Sequence, residues 1–317
     1  MNILLHNRRR YTQEQPLPSG GGVWADFDLS KLGSHTAAVQ LVDPTSYNLA
    51  NEPLTGTGCD LHTIPDDSLL IAAASQFHVY AWGFAAGHEF DLMQVNSLYT
   101  TRTQNFQFYS ACFSGDGMSL FSGNGTVVNR RRLAVAYNLG TASNNETIVN
   151  GAVAGIADII DFMFFSGDGK KLFYKSSSSS RLYCLSLKSP WYNESTDFEK
   201  LERVLLSEFD ARVNETIGES PTTTITWNGF TFSPDGKVLV ATTNRIAVKF
   251  VLSTPWELKT MTFHSAKELY DDVRDGANIN VTLCGVAINA AGTKMIVHNR
   301  AGGTRANAKF YGYDLVA

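Results

Sequence analysis

The sequence predicts an all-β chain folded as a β-propeller, most simply of five blades with six as the alternative, preceded by an extended N-terminal arm. Three observations carry this. A short unit recurs five times: an apolar residue, a turn ending in Asp-Gly or a near equivalent, then a second apolar strand. The units are spaced like the blades of a propeller, with steps of 49, 52, 67 and 56 residues between the Asp-equivalent positions 67, 116, 168, 235 and 291. A third apolar strand follows each turn, as a blade of short antiparallel strands requires.

Taken in order, residues 1–22 stand apart and are assigned to an extended arm, with the propeller over 23–317. Arg8, Arg9 and Arg10 lead into Tyr11 and a run containing Pro16, Pro18 and Gly20–Gly22, which builds neither helix nor central strand. Ile3, Leu4, Leu5 and Tyr11 are its apolar anchors, and the three arginines suit carboxylates or carbonyls of a partner. Val23–Leu29 and Ala37–Val42 read as strands. The first is an additional outer strand or the remnant of a sixth blade. The second closes the ring beside Phe310–Leu315, because the last repeat stops at Leu315 without a fourth strand and a bare sheet edge is avoided.

The clearest repeats are Phe113-Ser-Gly-Asp116-Gly117-Met-Ser-Leu120, Phe165-Ser-Gly-Asp168-Gly169-Lys-Lys-Leu172 and Phe232-Ser-Pro-Asp235-Gly236-Lys-Val-Leu239. Ile64-Pro-Asp-Asp67-Ser68-Leu-Leu-Ile71 and Ile288-Asn-Ala-Ala291-Gly292-Thr-Lys-Met295 are weaker copies. In Ser-Pro-Asp-Gly, Pro234 presets the first corner and Gly236 is free to take positive φ, returning the chain into an antiparallel partner. The Asp and Gly residues are therefore assigned to turn structure, with Phe113, Phe165, Phe232, Ile288 and Ile64 at equivalent depths in the core. Third strands are expected at Phe77–Trp82, Leu133–Tyr137, Leu182–Leu185, Ile246–Phe250 and Phe310–Tyr313.

Two units share a further signature. Leu187-Lys-Ser-Pro190-Trp191 and Leu252-Ser-Thr-Pro255-Trp256 leave the third strand, where proline ends the ladder and Trp folds back onto the blade. The longest step holds a polar insertion, Tyr192–Thr224, read as a surface loop; Ser176–Ser180 is a hairpin tip.

Composition excludes several classes. Net charge is −4 with 18% charged residues, which argues against a nucleic-acid surface. No stretch of about 18 apolar residues is present, so no membrane helix is expected. The N-terminus lacks the apolar core of a signal peptide, giving the expectation that the chain keeps residue 1 and is made in a cytoplasm. Cys59, Cys112, Cys184 and Cys284 are widely spaced and read as buried thiols rather than as disulfides or a zinc site. Five Asn-x-Ser/Thr sequences (Asn124, Asn145, Asn193, Asn214, Asn280) occur at chance frequency and carry no weight without an export signal.

The sequence contains no G-x-S-x-G elbow, phosphate loop, G-x-G-x-x-G or H-E-x-x-H, and the seven histidines do not cluster. His62, Asp60, Asp161 and Asn228 precede repeat turns and could face a channel mouth; structural roles are expected for them. No catalytic residue, metal or cofactor is assigned.

The F-S-x-D-G repeats followed by a third strand resemble those of YVTN/TolB/lactonase-like propellers, over about residues 59–315, without the Gly-His…Trp-Asp signature of WD40 repeats. Combined with L-S-T-P-W-E-L they look like propeller repeats common in bacteriophage virion proteins and in environmental bacterial proteins. With the Arg/Pro/Gly arm, the chain is similar to podovirus-like tail hub, nozzle or adaptor components and to decoration proteins. The resemblance implies a structural protein of a tailed-phage virion, located in the particle, present in multiple copies and contacting other virion structural proteins, with neither nucleic acid nor membrane as partner. The alternative is a lactonase- or glycosidase-like enzyme, or a glycan binder, using the channel mouth.

Overall fold

The computed structural model describes residues 21–39, 59–64, 66–74, 78–85, 87, 90–102, 110–124, 126–143, 146–150, 160–176, 180–191, 198–274, 281–299 and 309–315. Their twenty strands form five four-stranded antiparallel sheets. The chain is a five-bladed β-propeller.

Blade 1 contains β2 (Cys59–Thr63), β3 (Leu69–Ala74), β4 (His78–Phe84) and β5 (Val95–Arg102). Blade 2 contains β6 (Ser110–Phe113), β7 (Ser119–Asn124), β8 (Val127–Arg132) and β9 (Glu146–Asn150). Blade 3 contains β10 (Ile160–Phe165), β11 (Lys171–Ser176), β12 (Arg181–Leu187) and β13 (Phe198–Leu205). Blade 4 contains β14 (Trp227–Phe232), β15 (Val238–Thr243), β16 (Ile246–Leu252) and β17 (Met261–Glu268). Blade 5 contains β18 (Leu283–Ile288), β19 (Lys294–Asn299) and β20 (Lys309–Asp314), and its outer strand is β1 (Ala37–Val39). The inner strands β2, β6, β10, β14 and β18 touch across the centre.

The turns set the register. Phe113 faces Leu120, Phe165 faces Leu172, Phe232 faces Leu239 and Ile288 faces Met295. Blade 1 departs from the expected alignment by one residue. Thr63, not Ile64, faces Leu70, and Asp67 N–H donates to Ile64 O where Gly236 N–H donates to Ser233 O. Asp67 thus occupies the glycine corner, at φ 57, and Asp66 takes the place of Asp235. Asp visits the left-handed region more readily than most residues because its short polar side chain bonds locally, so the shift is tolerated.

Three further expectations are corrected. Val23–Leu29 is not a strand: α1 (Gly21–Asp26) is a helical turn, followed by a 3-10 turn at Leu29–Lys31. Leu133–Tyr137 is not the third strand of blade 2; that strand is β8, whose Arg130-Arg131-Arg132 run disguised it. Arg130 is buried because Glu146 on β9 pairs with it at 2.8 Å. The Tyr192–Thr224 segment is not a loop throughout, since Phe198–Leu205 is the outer strand of blade 3 and Asp210–Ile217 forms helix α2. Buried Asp210 holds that helix to blade 4, accepting from Ile225 N–H at 3.2 Å and Trp227 Nε1 at 3.1 Å. Burial pushes its carboxyl up from the usual range, and the two hydrogen bonds oppose the shift.

Ring closure uses the N-terminal segment. Ala37 pairs with Gly312, Ala38 with Tyr311 and Val39 with Phe310; residues 40–42 lie outside the described residues. The segment supplies more than a strand. In three blades an aromatic residue at positive φ (Phe90 64, Tyr137 58, Trp256 62) is followed by Asp91-Leu92, Asn138-Leu139 or Glu257-Leu258 and a 3-10 turn. Phe27-Asp28-Leu29 opens the same kind of turn ahead of β1. Asp91, Asn138 and Asp28 each accept the N–H two residues on, at 2.9–3.0 Å. Each corner packs on the outer strand of the preceding blade: Leu92–Gln94 on β1, Leu139–Thr141 on β5, Leu258–Thr260 on β13 and Leu29–Lys31 on β17. Residues 21–39 are therefore the missing end of blade 5, carried at the other end of the chain.

Lys249, fully buried on β16, fastens this segment. Its Nζ donates to Ala25 O at 2.9 Å and Phe27 O at 2.5 Å and lies 4.0 Å above the Phe27 ring.

Candidate binding mouth on the turn face

The Ser-x-Asp-Gly turns crowd around one end of the central channel and build its mouth. Their internal bonding repeats. Ser114, Ser166 and Ser233 each donate Oγ–H to the carboxylate of Asp116, Asp168 or Asp235 at 2.6 Å. Each Oγ accepts the N–H five residues on, at 2.9 Å. Burial raises the Asp168 carboxyl, but the Ser166 and Lys170 hydrogen bonds outweigh it and hold the group below its ordinary value. In blade 5, Asn289 Oδ1 does the work of the serine, accepting from Thr293 and Lys294. In blade 1, the Asp67 carboxylate accepts Ala290 N–H at 2.8 and 3.0 Å, tying the first blade to the last.

Above each Gly corner lies an aromatic ring. Gly117, Gly169, Gly236 and Gly292 have φ of 69, 68, 71 and 71. A Cβ built on them would stand 2.5 Å from Tyr137, 2.2 Å from Trp191, 2.2 Å from Trp256 and 2.5 Å from Trp24 respectively. The N–H of Tyr137, Trp191 and Trp256 each returns to the carbonyl of its own glycine at 2.9 Å. Glycine is thus required twice, by the left-handed corner and by the ring that covers it. Trp24, from α1, performs this for blade 5 and donates Nε1–H to Ala290 O at 3.0 Å. Sequence reading found Trp191 and Trp256 and missed Tyr137 and Trp24. Tyr137 was legible, standing four residues after Leu133 as Trp191 follows Leu187 and Trp256 follows Leu252.

The rings are committed on both faces. Trp256 rests on Gly236 and stacks on Phe164 of blade 3, with centroids 6.2 Å apart and planes at 19°. Trp191 rests on Gly169 and stacks on Phe121 of blade 2 at 6.1 Å and 24°. Their edges are what reach the mouth. Between them is an apolar pit of about 160 Å³, walled by Phe113, Phe164, Phe165, Phe232, Ile64 and Ile288, with His62, Thr63, Ser114 and Thr231 as polar contributions. No carboxylate, lysine or arginine lines the pit among the described residues. Its size matches the roughly 150 Å³ apolar cavities that take up benzene. With mainly aromatic and aliphatic walls and no carboxylate to pair a charge among the described residues, the pit suits an apolar group better than a cation.

The other candidates are not gathered here. Asn228 belongs to the opposite end of β14, donating to Leu283 O at 2.6 Å and Asn244 Oδ1 at 3.2 Å, an inter-blade structural contact. The side chains of Asp60 and Asp161, and the arm residues Ile3, Leu4, Leu5, Arg8, Arg9, Arg10 and Tyr11, lie outside the described residues. No group of three or more His, Cys, Asp or Glu residues suited to a metal ion is present among the described residues, and none of their helices is long and apolar enough to cross a membrane.

No protein-family model matches the chain, and no curated protein matches it. Among solved structures it is similar to a periplasmic gluconolactonase, PpgL, of Pseudomonas aeruginosa, at 15% identity and a TM-score of 0.41, over 77% of this chain and 65% of that one. The chain therefore spans somewhat less than two thirds of the length of that protein. It is also similar to the β-propeller domain of Myceliophteria thermophila Cps50 (Swd1), at 10% identity and a TM-score of 0.41, over 81% and 82% of the two chains. Both likenesses concern fold alone, and by the pairing of its own strands this chain is a five-bladed β-propeller closed by its N-terminal segment.

Proposed function

We propose that this propeller is a non-catalytic interaction module, a structural component of a tailed-phage virion that seats an apolar side chain of a neighbouring protein in the turn-face pit. The observation that carries the reading is the make-up of the pit, which is mainly aromatic and aliphatic, with His62, Thr63, Ser114 and Thr231 as its polar contributions and no carboxylate, lysine or arginine among its described walls. General acid–base catalysis needs a positioned proton donor and acceptor at the reacting group, whereas docking an apolar anchor needs shape and dryness. The described chain begins at Gly21, three residues before Trp24, which lines the same pit. The expected arm, residues 1–22, leads in sequence up to Trp24, and a second contact of that arm with the same neighbour would add avidity. The virion setting rests on the F-S-x-D-G and L-S-T-P-W repeats together with that arm.

The test is incorporation. The full chain should be detected in purified particles. Deleting residues 2–20, or filling the pit by Thr63→Arg, should leave a folded propeller that no longer incorporates. Normal incorporation of both variants would overturn the docking role. Turnover of a lactone or glycoside that disappears with His62→Ala would replace it with the enzymatic reading.

A further inference from the structure

The last blade holds a cysteine and a histidine in direct contact, far from the turn-face mouth. Cys284 is the second residue of β18, and the register slips there: Leu283 faces Asn299 and Gly285 faces His298, so Cys284 is the extra residue of a β-bulge. Bulges re-aim side chains, and this one turns Cys284 Sγ to 3.1 Å from His298 Nδ1. Both residues are buried, Cys284 at 8% exposure and His298 at 1%. The other ring nitrogen of His298, Nε2, is enclosed with no hydrogen-bond partner among the described residues. One face of the imidazole lies on the ring of Phe310, with centroids 4.5 Å apart and planes at 19°.

The contact geometry favours transfer of the thiol proton, while burial of both groups opposes the charged pair. Imidazole is the usual acceptor that activates a cysteine, and the contact is already made. The imidazolium formed would lie over an aromatic face, whose quadrupole attracts a cation, and beside the thiolate itself. Cys184 on β12 is the contrast within the same chain, its thiol pushed up to about 12 by burial.

We propose that Cys284 and His298 form a nucleophilic thiol–imidazole pair, a site of covalent modification by small soft electrophiles. With iodoacetamide, Sγ attacks the methylene carbon, the C–I bond breaks, iodide leaves, and the thiol proton passes to His298 Nδ1. With a hydroperoxide as oxidant, Sγ attacks one peroxide oxygen and the O–O bond breaks. The sulfur is oxidised to a sulfenic acid, and the peroxide is reduced: its leaving oxygen takes the thiol proton back from His298 and departs as an alcohol or water. Phe310, the ring beneath His298, belongs to the apolar seam that joins blade 5 to Leu61 and Leu70 of blade 1. An adduct on Cys284 therefore adds volume beside the closure of the ring.

The experiment is alkylation of the native full chain by iodoacetamide at neutral pH, followed residue by residue by mass spectrometry. Cys284 should react at least about tenfold faster than Cys112 and Cys184. His298→Gln should slow Cys284 by about the same factor and leave the other two unchanged, which a merely structural role for His298 would not do. A second readout is independent of that variant's folding: the ultraviolet thiolate band of the wild-type chain should be lost in Cys284→Ser. The proposal is overturned if Cys284 reacts no faster than Cys112 and Cys184, if these three react together at the rate of unfolding, or if no thiolate band distinguishes Cys284→Ser.

Discussion

Trp24 covers Gly292. The indole of the first described helix lies where a Cβ on the last turn glycine would stand, and its Nε1–H reaches Ala290 O in the same turn. Blades 2, 3 and 4 each cover their glycine from within, by Tyr137, Trp191 and Trp256. Only in blade 5 does the cover come from the opposite end of the chain. Closure of the ring is thus a contact between a lid and its seat as well as a strand pairing.

Trp24→Ala should therefore destabilise the whole domain. Removing a buried Trp side chain costs about 3–5 kcal/mol, and this one also gives up a hydrogen bond. Chemical unfolding should show a clearly lower midpoint. Deleting residues 2–20 should leave the midpoint unchanged, whereas deleting 2–39 should lower it further than Trp24→Ala. Equal midpoints for the two deletions would contradict the assignment of residues 21–39 to blade 5.

The requirement for glycine can be separated into its two causes. Gly218 ends helix α2 at φ 81 with nothing within 4 Å of a Cβ, while Gly236 sits at φ 71 beneath Trp256. Gly218→Ala should cost about 1–2 kcal/mol, the left-handed penalty alone. Gly236→Ala should cost that plus the displacement of the indole, bringing the total to about 3 kcal/mol or more. Similar losses at the two positions would mean that the ring yields without cost.

Asp67 supports the seam in two ways, by its positive φ and by the carboxylate that accepts Ala290 N–H. Asp67→Gly keeps the backbone and loses the hydrogen bonds, costing about 1–3 kcal/mol for the orphaned N–H. Asp67→Ala loses both and should be the more damaging. Thermal denaturation of the two variants gives the order directly.

Lys249 gives the fold a pH dependence with a definite sign. Burial lowers its pKa to about 8 from 10.5, with Asp28 and Asp26 acting against the shift. Between these values the unfolded chain holds a proton that the folded chain has lost, so stability rises with pH across the window. The full difference is about 3 kcal/mol. Tyr174 and Tyr313, raised by burial, act in the opposite direction at higher pH. The measurement is therefore the wild-type minus Lys249→Met difference in unfolding free energy between about pH 7.5 and 9.5. A flat difference would show that the ammonium is not desolvated as its burial implies.

Much of this was legible because turn chemistry is local. Ser233-Pro234-Asp235-Gly236 specifies its own corner, and the alternating apolar residues on either side specify two strands, so the five-blade count and the inner register of blades 2 to 5 follow from spacing. Legibility failed where a residue's environment is supplied from a distance. The third strand of blade 2 was placed at Leu133–Tyr137 rather than over Arg130–Arg132 because the partner that allows Arg130 to be buried, Glu146, comes from the next strand. Phe27-Asp28-Leu29 read as strand because its resemblance to Phe90-Asp91-Leu92 and Tyr137-Asn138-Leu139 becomes apparent only once those corners are seen as 3-10 turns. The pit was invisible for the same reason, since its walls are a few residues from each of the five blades.

The sequence by itself determined the repeating blade and its turns, because each depends on residues within a few positions of one another, and it called for a closing strand because the last repeat holds one apolar strand too few. Tertiary structure alone decided that residues 21–39 complete blade 5 with helix, lid and corner, that the indoles turn their edges to the mouth, and that Cys284 meets His298. Those outcomes depend on which surfaces the closed ring brings into contact, and packing and desolvation act between neighbours in space, whatever their separation along the chain.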